Sequence, residues 1–110
     1  MMEPKDELQE FQEYCDNWIH RLGLIDWDWR CSLNDDQDNA NVLLNQEGRK
    51  AYIGLCRNRE ACCTIAQLAK HECLEILLAD LALLSAPYVA KDLIDDEVHR
   101  VINRLMIALV

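Results

Sequence analysis

Basic residues are in short supply. The chain has 110 residues, with 11 Lys and Arg against 20 Asp and Glu, for a formal net charge of −9. Gripping a phosphate backbone needs clustered cations that displace counterions, so direct nucleic-acid binding is excluded as a function class. Long apolar runs are missing too. The longest, Ile76 to Leu84, is broken by Asp80, well short of the roughly 18–20 residues that span a bilayer. No secretory signal is visible: MMEPKDELQE is acidic and lacks an apolar h-region. The expectation is a protein of the cytoplasm, in no contact with membrane. No two cysteines stand in a C-x-x-C pair, so neither a zinc ribbon nor a thioredoxin-type motif is supported. In a reducing compartment the six cysteines read mostly as small buried hydrophobes. Internal repeats and low-complexity tracts are absent as well.

What is present is a half-apolar chain, 51% hydrophobic but only 6% aromatic. That apolar content can offset ordering entropy, and the length suits one domain over residues 1–110. Residues 5–22 predict an amphipathic helix, with Leu8, Phe11, Cys15, Trp18, Ile19 and Leu22 on one face and Gly23 as its stop. In DWDWRCSL, residues 26–33, Trp27, Trp29, Cys31 and Leu33 alternate with polar residues, the period of a half-buried strand. The three tryptophans read as core, since aromatics mainly supply buried area. The stretch 34–41 is an acidic loop. Its alternating Asn34, Asp36 and Asp38 lack the Gly and closing Glu of a calcium loop. Residues 42–45 and 50–56 predict a hairpin, 61–84 a long helix and 91–110 another. This order predicts an α+β fold: three helices on a three-stranded, mostly antiparallel sheet.

Chemistry concentrates in A-K-H-E-C-L-E-I-L-L, residues 69–78. On a helical wheel His71 and Glu75 lie about 40° apart, with Glu72 about 60° beyond Glu75. Most of the rest of that circumference is apolar, which predicts a buried helix. A His and two Glu on a buried helix must be paired, coordinated or turned to a cleft, because unpaired burial is costly. Imidazole and carboxylate at i and i+4 can converge on one divalent ion. Glu72, beside the first ligand, could then take the proton of a water activated by the ion. This is the logic of H-E-x-x-H, with Glu75 where the second His would stand. A third ligand must come from elsewhere: His99, on the flank of the last helix's stripe, or Glu97 on the opposite flank. His20 reads as surface. Cys62 and Cys63 open the long helix, where a thiol pKa can fall, but no His is placed beside them for nucleophile chemistry.

With these motifs the chain resembles the small phage-encoded zincin-like metallopeptidase family. The similar features are W-I-x-R-L-G-L from Trp18, D-W-x-W from Asp26, A-Y-I-G-L from Ala51, the A-K-H-E-C-L-E-I-L-L helix and H-R-V-I-N-R-L from His99. The resemblance implies a small zincin fold with Zn2+ held by His71, Glu75 and His99, and Glu72 as general base. It also implies an edge strand offered to an extended peptide or protein substrate. The expected function is a zinc-dependent hydrolase of metallopeptidase type, or a descendant that keeps the site without turnover. The alternative is a non-enzymatic acidic protein that binds and inhibits a basic host defence protein, in the manner of anti-CRISPR or nucleic-acid-mimic proteins.

Overall fold

Helix α1 (Glu7–Arg21) starts where the Asp6 side chain accepts from the Leu8 N–H, and it carries Glu7 and Glu10 in its first turn, favourable to the dipole. It stops in a Schellman arrangement: Leu24 N–H donates to Ile19 O and Gly23 N–H to His20 O, with Gly23 at φ 72°. The expected glycine stop is therefore present. Phe11, Cys15, Trp18 and Ile19 form its buried face. This computed structural model describes residues 6–36, 38–60 and 63–110.

Three strands follow, β1 (Asp28–Asn34), β2 (Ala40–Asn45) and β3 (Lys50–Cys56). Their order in the sheet is β1-β3-β2. β2 and β3 form the expected antiparallel hairpin, with Asn45 opposite Lys50. β1 pairs with β3 in parallel, Asp28 opposite Lys50 and Asn34 opposite Cys56. The sheet is thus mixed, one antiparallel and one parallel pair. The α+β class is as expected, but the sheet is not mostly antiparallel: alternation along β1 identifies its inward face and neither its neighbour nor their relative direction. The chain gets from β1 to β2 by arching over the end of β3, where Cys56 N–H donates to Asn39 O and Arg57 N–H to Asn34 O. Under the arch the Asn34 side chain donates to Asn41 Oδ1 across β3. Gly54 lies beneath that bridge, and a Cβ there would collide with both asparagine side chains. The position needs Gly for close approach rather than for backbone freedom.

The β2–β3 turn ends on Arg49 at φ 52°, a left-handed position that costs a non-glycine residue strain. Its side chain explains why Arg stands there. The guanidinium bonds Asp26 (Nε–Oδ2 3.0 Å), holds both Asp80 oxygens at 2.9 Å and lies 4.1 Å over the Trp27 ring. Gln46 adds a bond to Ala79 O. One turn residue thus ties the sheet to the second half of the long helix. The hydrogen bond from Arg49 holds the Asp26 carboxyl below its ordinary value. A depressed folded-state pKa adds stability above the unfolded carboxylate pKa and loses it as pH falls. Asp26→Asn is therefore expected to be less stable than the parent at pH 7, with the gap closing below pH ~4. Urea titrations at the two pH values check it; a gap that stays constant overturns the assignment.

Helix α2 (Ile65–Ser85) begins later than the apolar pattern suggests. Thr64 caps it in a reciprocal capping box with Gln67. Cys63 precedes the helix, and Cys62 lies outside the described residues. Helix α3 (Lys91–Ala108) returns antiparallel beside α2. Only the first half of α2 has the burial its wheel predicts. Leu68, Ala69, Glu72, Cys73, Leu74 and Ile76 are buried between α1, the sheet and α3. Beyond them Leu81, Leu83 and Leu84 are exposed. The α2–α3 hairpin runs past the end of the sheet, and the molecule measures 56 × 29 × 28 Å.

Cys15, Cys31 and Cys73 meet in the core, from α1, β1 and α2. Hydrogen bonds among the thiols, first to Cys31 and then to Cys73, together with burial push Cys15 far up, so it stays a neutral thiol. These cysteines are packing residues, as the composition suggests.

Candidate metal centre

The docking of α3 fixes the site. Lys70 reaches the carboxy-terminal end of α3, donating to Met106 O at 2.7 Å and to Leu109 O. A cation suits these unsatisfied carbonyls and the negative end of the helix dipole. Arg21 donates to Val110 O and, like Lys70, lies against the Trp18 ring. Ile102, fully buried, locks the contact. With that end pinned, antiparallel packing carries His99, one turn before Ile102, to the face of α2 that holds His71 and Glu75.

The three side chains converge. Glu75 Oε1 lies 3.5 Å from His71 Nε2 and 3.7 Å from His99 Nε2. One donor atom from each residue falls within 4.8 Å of the others. Ligands about 2.0–2.2 Å from a tetrahedral ion sit about 3.4 Å apart. Two of the three separations are already close to that value, and the third is no more than 4.8 Å. The imidazole rings are 6.3 Å apart and tilted by 39°. His99 Nδ1 bonds Asp95 O at 2.8 Å. A carbonyl only accepts, so Nδ1 carries a hydrogen, and Nε2 is the ring nitrogen turned toward Glu75. His20 makes the same bond to Asp16 O on α1 but is exposed there beside Asp16. What singles out His99 is the group its other nitrogen faces.

The carboxyls have divided roles. Glu72 is 5% exposed, and its Oε2 has no hydrogen-bond partner. Burial, then the charge of Glu75 and a hydrogen bond to it, then the charge of Asp38, push Glu72 up to about 9. Burial also pushes Glu75 up. Hydrogen bonds with His71 and Glu72, and the charges of His71 and His99, outweigh it and hold Glu75 below its ordinary value. Without a cation the pair shares one proton, held by Glu72 beside an ionised Glu75.

All four side chains line an open cleft of about 610 Å3. Its opposite wall is Asp38 to Val42, the end of the arch and the start of β2, an outer strand of the sheet. No family model, curated protein or solved structure matches the chain. The reading of the site therefore rests on its own geometry. A divalent ion fits here, and the donors alone do not select which one.

The sequence placed His71, Glu72 and Glu75 together by helical spacing, and the structure brings His99 to them. It does not bring Glu97. That carboxylate pairs with Arg100 at 2.6 Å and lines a separate groove between α2 and α3. In the sequence Asp38 reads only as part of an incomplete calcium loop, with nothing to place it at this cleft. It lies in the acidic loop and reaches the cleft only because the arch folds over β3, which no local pattern signals.

Proposed function

We propose that the chain is a zinc-dependent hydrolase of the zincin-like kind, acting on peptide bonds. The observation that carries the reading is the convergence of His71, Glu75 and His99 beside a buried carboxyl, Glu72, with an unpartnered oxygen. Two imidazoles and one carboxylate, leaving a position open, are the donor set of catalytic zinc sites. An ion held there would polarise a carbonyl and lower the pKa of a water bound to it. Glu72 stands one residue from the first ligand, where it can accept that proton and pass it to the leaving amine. Its raised pKa does not oppose the role, because a nearby cation favours the ionised form. The outer position of β2 supports an extended peptide as substrate, since strand addition would lay it along the cleft wall.

The test is calorimetric titration of metal-free protein with Zn2+, followed by digestion of an unstructured protein substrate. The expected result is one equivalent bound and cleavage that a chelator stops. No zinc binding up to about millimolar concentration, an affinity near −4 kcal/mol, overturns the metal centre. Binding without cleavage overturns the hydrolase and leaves the metal site.

The exposed acids of α3, Asp92, Asp95, Asp96 and Glu97, support the second reading, a surface that grips a basic protein. It needs neither the convergence of His71 with His99 nor the buried Glu72, so it leaves the most specific feature of the fold without a use.

A further inference from the structure

The far end of the α2–α3 hairpin has a surface that the metal centre does not use. From Leu81 to Ala90 the sequence reads LALLSAPYVA, ten residues without a charge in a chain that is 28% charged. Most of their apolar side chains face outward. Leu81 is 63% exposed, Leu84 70%, Tyr88 87%, and Leu93 on the first turn of α3 62%. Beside them an apolar groove of about 280 Å3 runs between the helices, lined by Leu78, Leu81, Val89, Leu93, Ile94 and Val98 among others. Contiguous exposed apolar surface of this kind marks an interaction site.

We propose that this tip is a self-association surface, on which a second copy of the chain packs its own hairpin in two-fold symmetry to complete a four-helix bundle. Three observations select that occupant. The accessible surface is 7550 Å2, whereas a compact monomer of 12.8 kDa exposes about 6,300 Å2. That excess, counted over the whole chain, is larger than the roughly 800 Å2 that each partner gives to a standard interface. Two copies at −9 each repel, so they approach best where charge is sparsest; residues 81–90 carry none, and the groove beside them has Glu97 as its one charged lining residue. A lipid surface fits less well. Interfacial helices carry Lys and Arg on their polar face, whereas α3 opens on Lys91 alone and continues with Asp92, Asp95, Asp96 and Glu97.

The experiment is sedimentation equilibrium of the full chain at about 100 μM, since dimer formation depends on concentration. A chelator is present throughout, so that metal bridging cannot mimic the contact. The comparison is with the double variant Leu81→Asp/Leu84→Asp. Both side chains are largely exposed, so the change leaves the monomer fold intact, which circular dichroism checks. Twice the 12.8 kDa chain mass for the parent, and one chain mass for a folded variant, is the expected result. A parent that sediments as a single chain overturns the proposal, and its flotation with neutral phosphatidylcholine vesicles would assign the tip to lipid instead. A dimer that survives in the folded variant also overturns it, by placing the contact elsewhere.

Discussion

His71→Ala is expected to lower zinc affinity by at least about 100-fold, the upper end of what losing even an outer-shell partner of a metal ligand costs. His71 Nε2 is one of three donors around a single point, so two remaining donors and solvent must hold the ion. His99→Ala is expected to match it, because His99 Nε2 lies 3.7 Å from the shared Glu75 oxygen and its ring is oriented by Asp95 O. Glu97→Gln and His20→Ala should leave affinity unchanged, one being paired with Arg100 and the other sitting on α1. Thermal melts give a second readout. Zinc at about 100 times its dissociation constant stabilises the folded chain by about 2.7 kcal/mol, and that increment should vanish in both histidine variants. If His99→Ala retains affinity while Glu97→Gln loses it, α3 is docked in a different register and the centre is wrong as described.

Much of this site was legible because its parts are local. Spacing of i and i+4 puts His71 and Glu75 on one face wherever a helix forms; the start of that helix, set by Thr64 with Gln67, is missed by the apolar pattern, which places it at residue 61. The Gly23 stop and the alternation through Trp29, Cys31 and Leu33 are local signals too. What the sequence left open depends on pairings distant in the chain. Nothing in the β1 pattern says that its partner is β3, in parallel. That arrangement depends on the arch between β1 and β2 and on Gly54 admitting the Asn34–Asn41 bridge. Likewise, His99 and Glu97 sit on two flanks of one helix, and only the rotation of α3 chooses between them. That rotation is set by Lys70, Arg21 and Ile102, none of which carries a motif. The all-round apolar wheel of α2 correctly predicts burial for its first half. It fails for the second, where Leu81, Leu83 and Leu84 are left exposed.

Glu72→Gln separates holding the ion from using it. The amide keeps the size of the side chain but neither accepts the proton nor ionises. Zinc affinity should change little, because Glu72 lies outside the donor set, while hydrolysis should fall by about 10²–10⁴, the usual contribution of a positioned general base. In metal-free protein the same substitution should raise stability, and the direction follows from linkage. The folded chain keeps the Glu72 proton up to about pH 9, whereas the unfolded chain releases it near its ordinary value, roughly pH 4.3. The folded state therefore binds more protons across that interval, and parent stability falls as pH rises through it, by up to about 1.4 kcal/mol per pH unit from this group. An amide at this position removes that slope. Urea titrations with chelator at pH 5, 7 and 8.5 should show the variant gaining on the parent at each step. Loss of zinc binding in Glu72→Gln would instead make the residue a ligand. An unchanged pH slope would mean that the carboxyl is solvated in the cleft, which leaves the proposed chemistry without its proton acceptor.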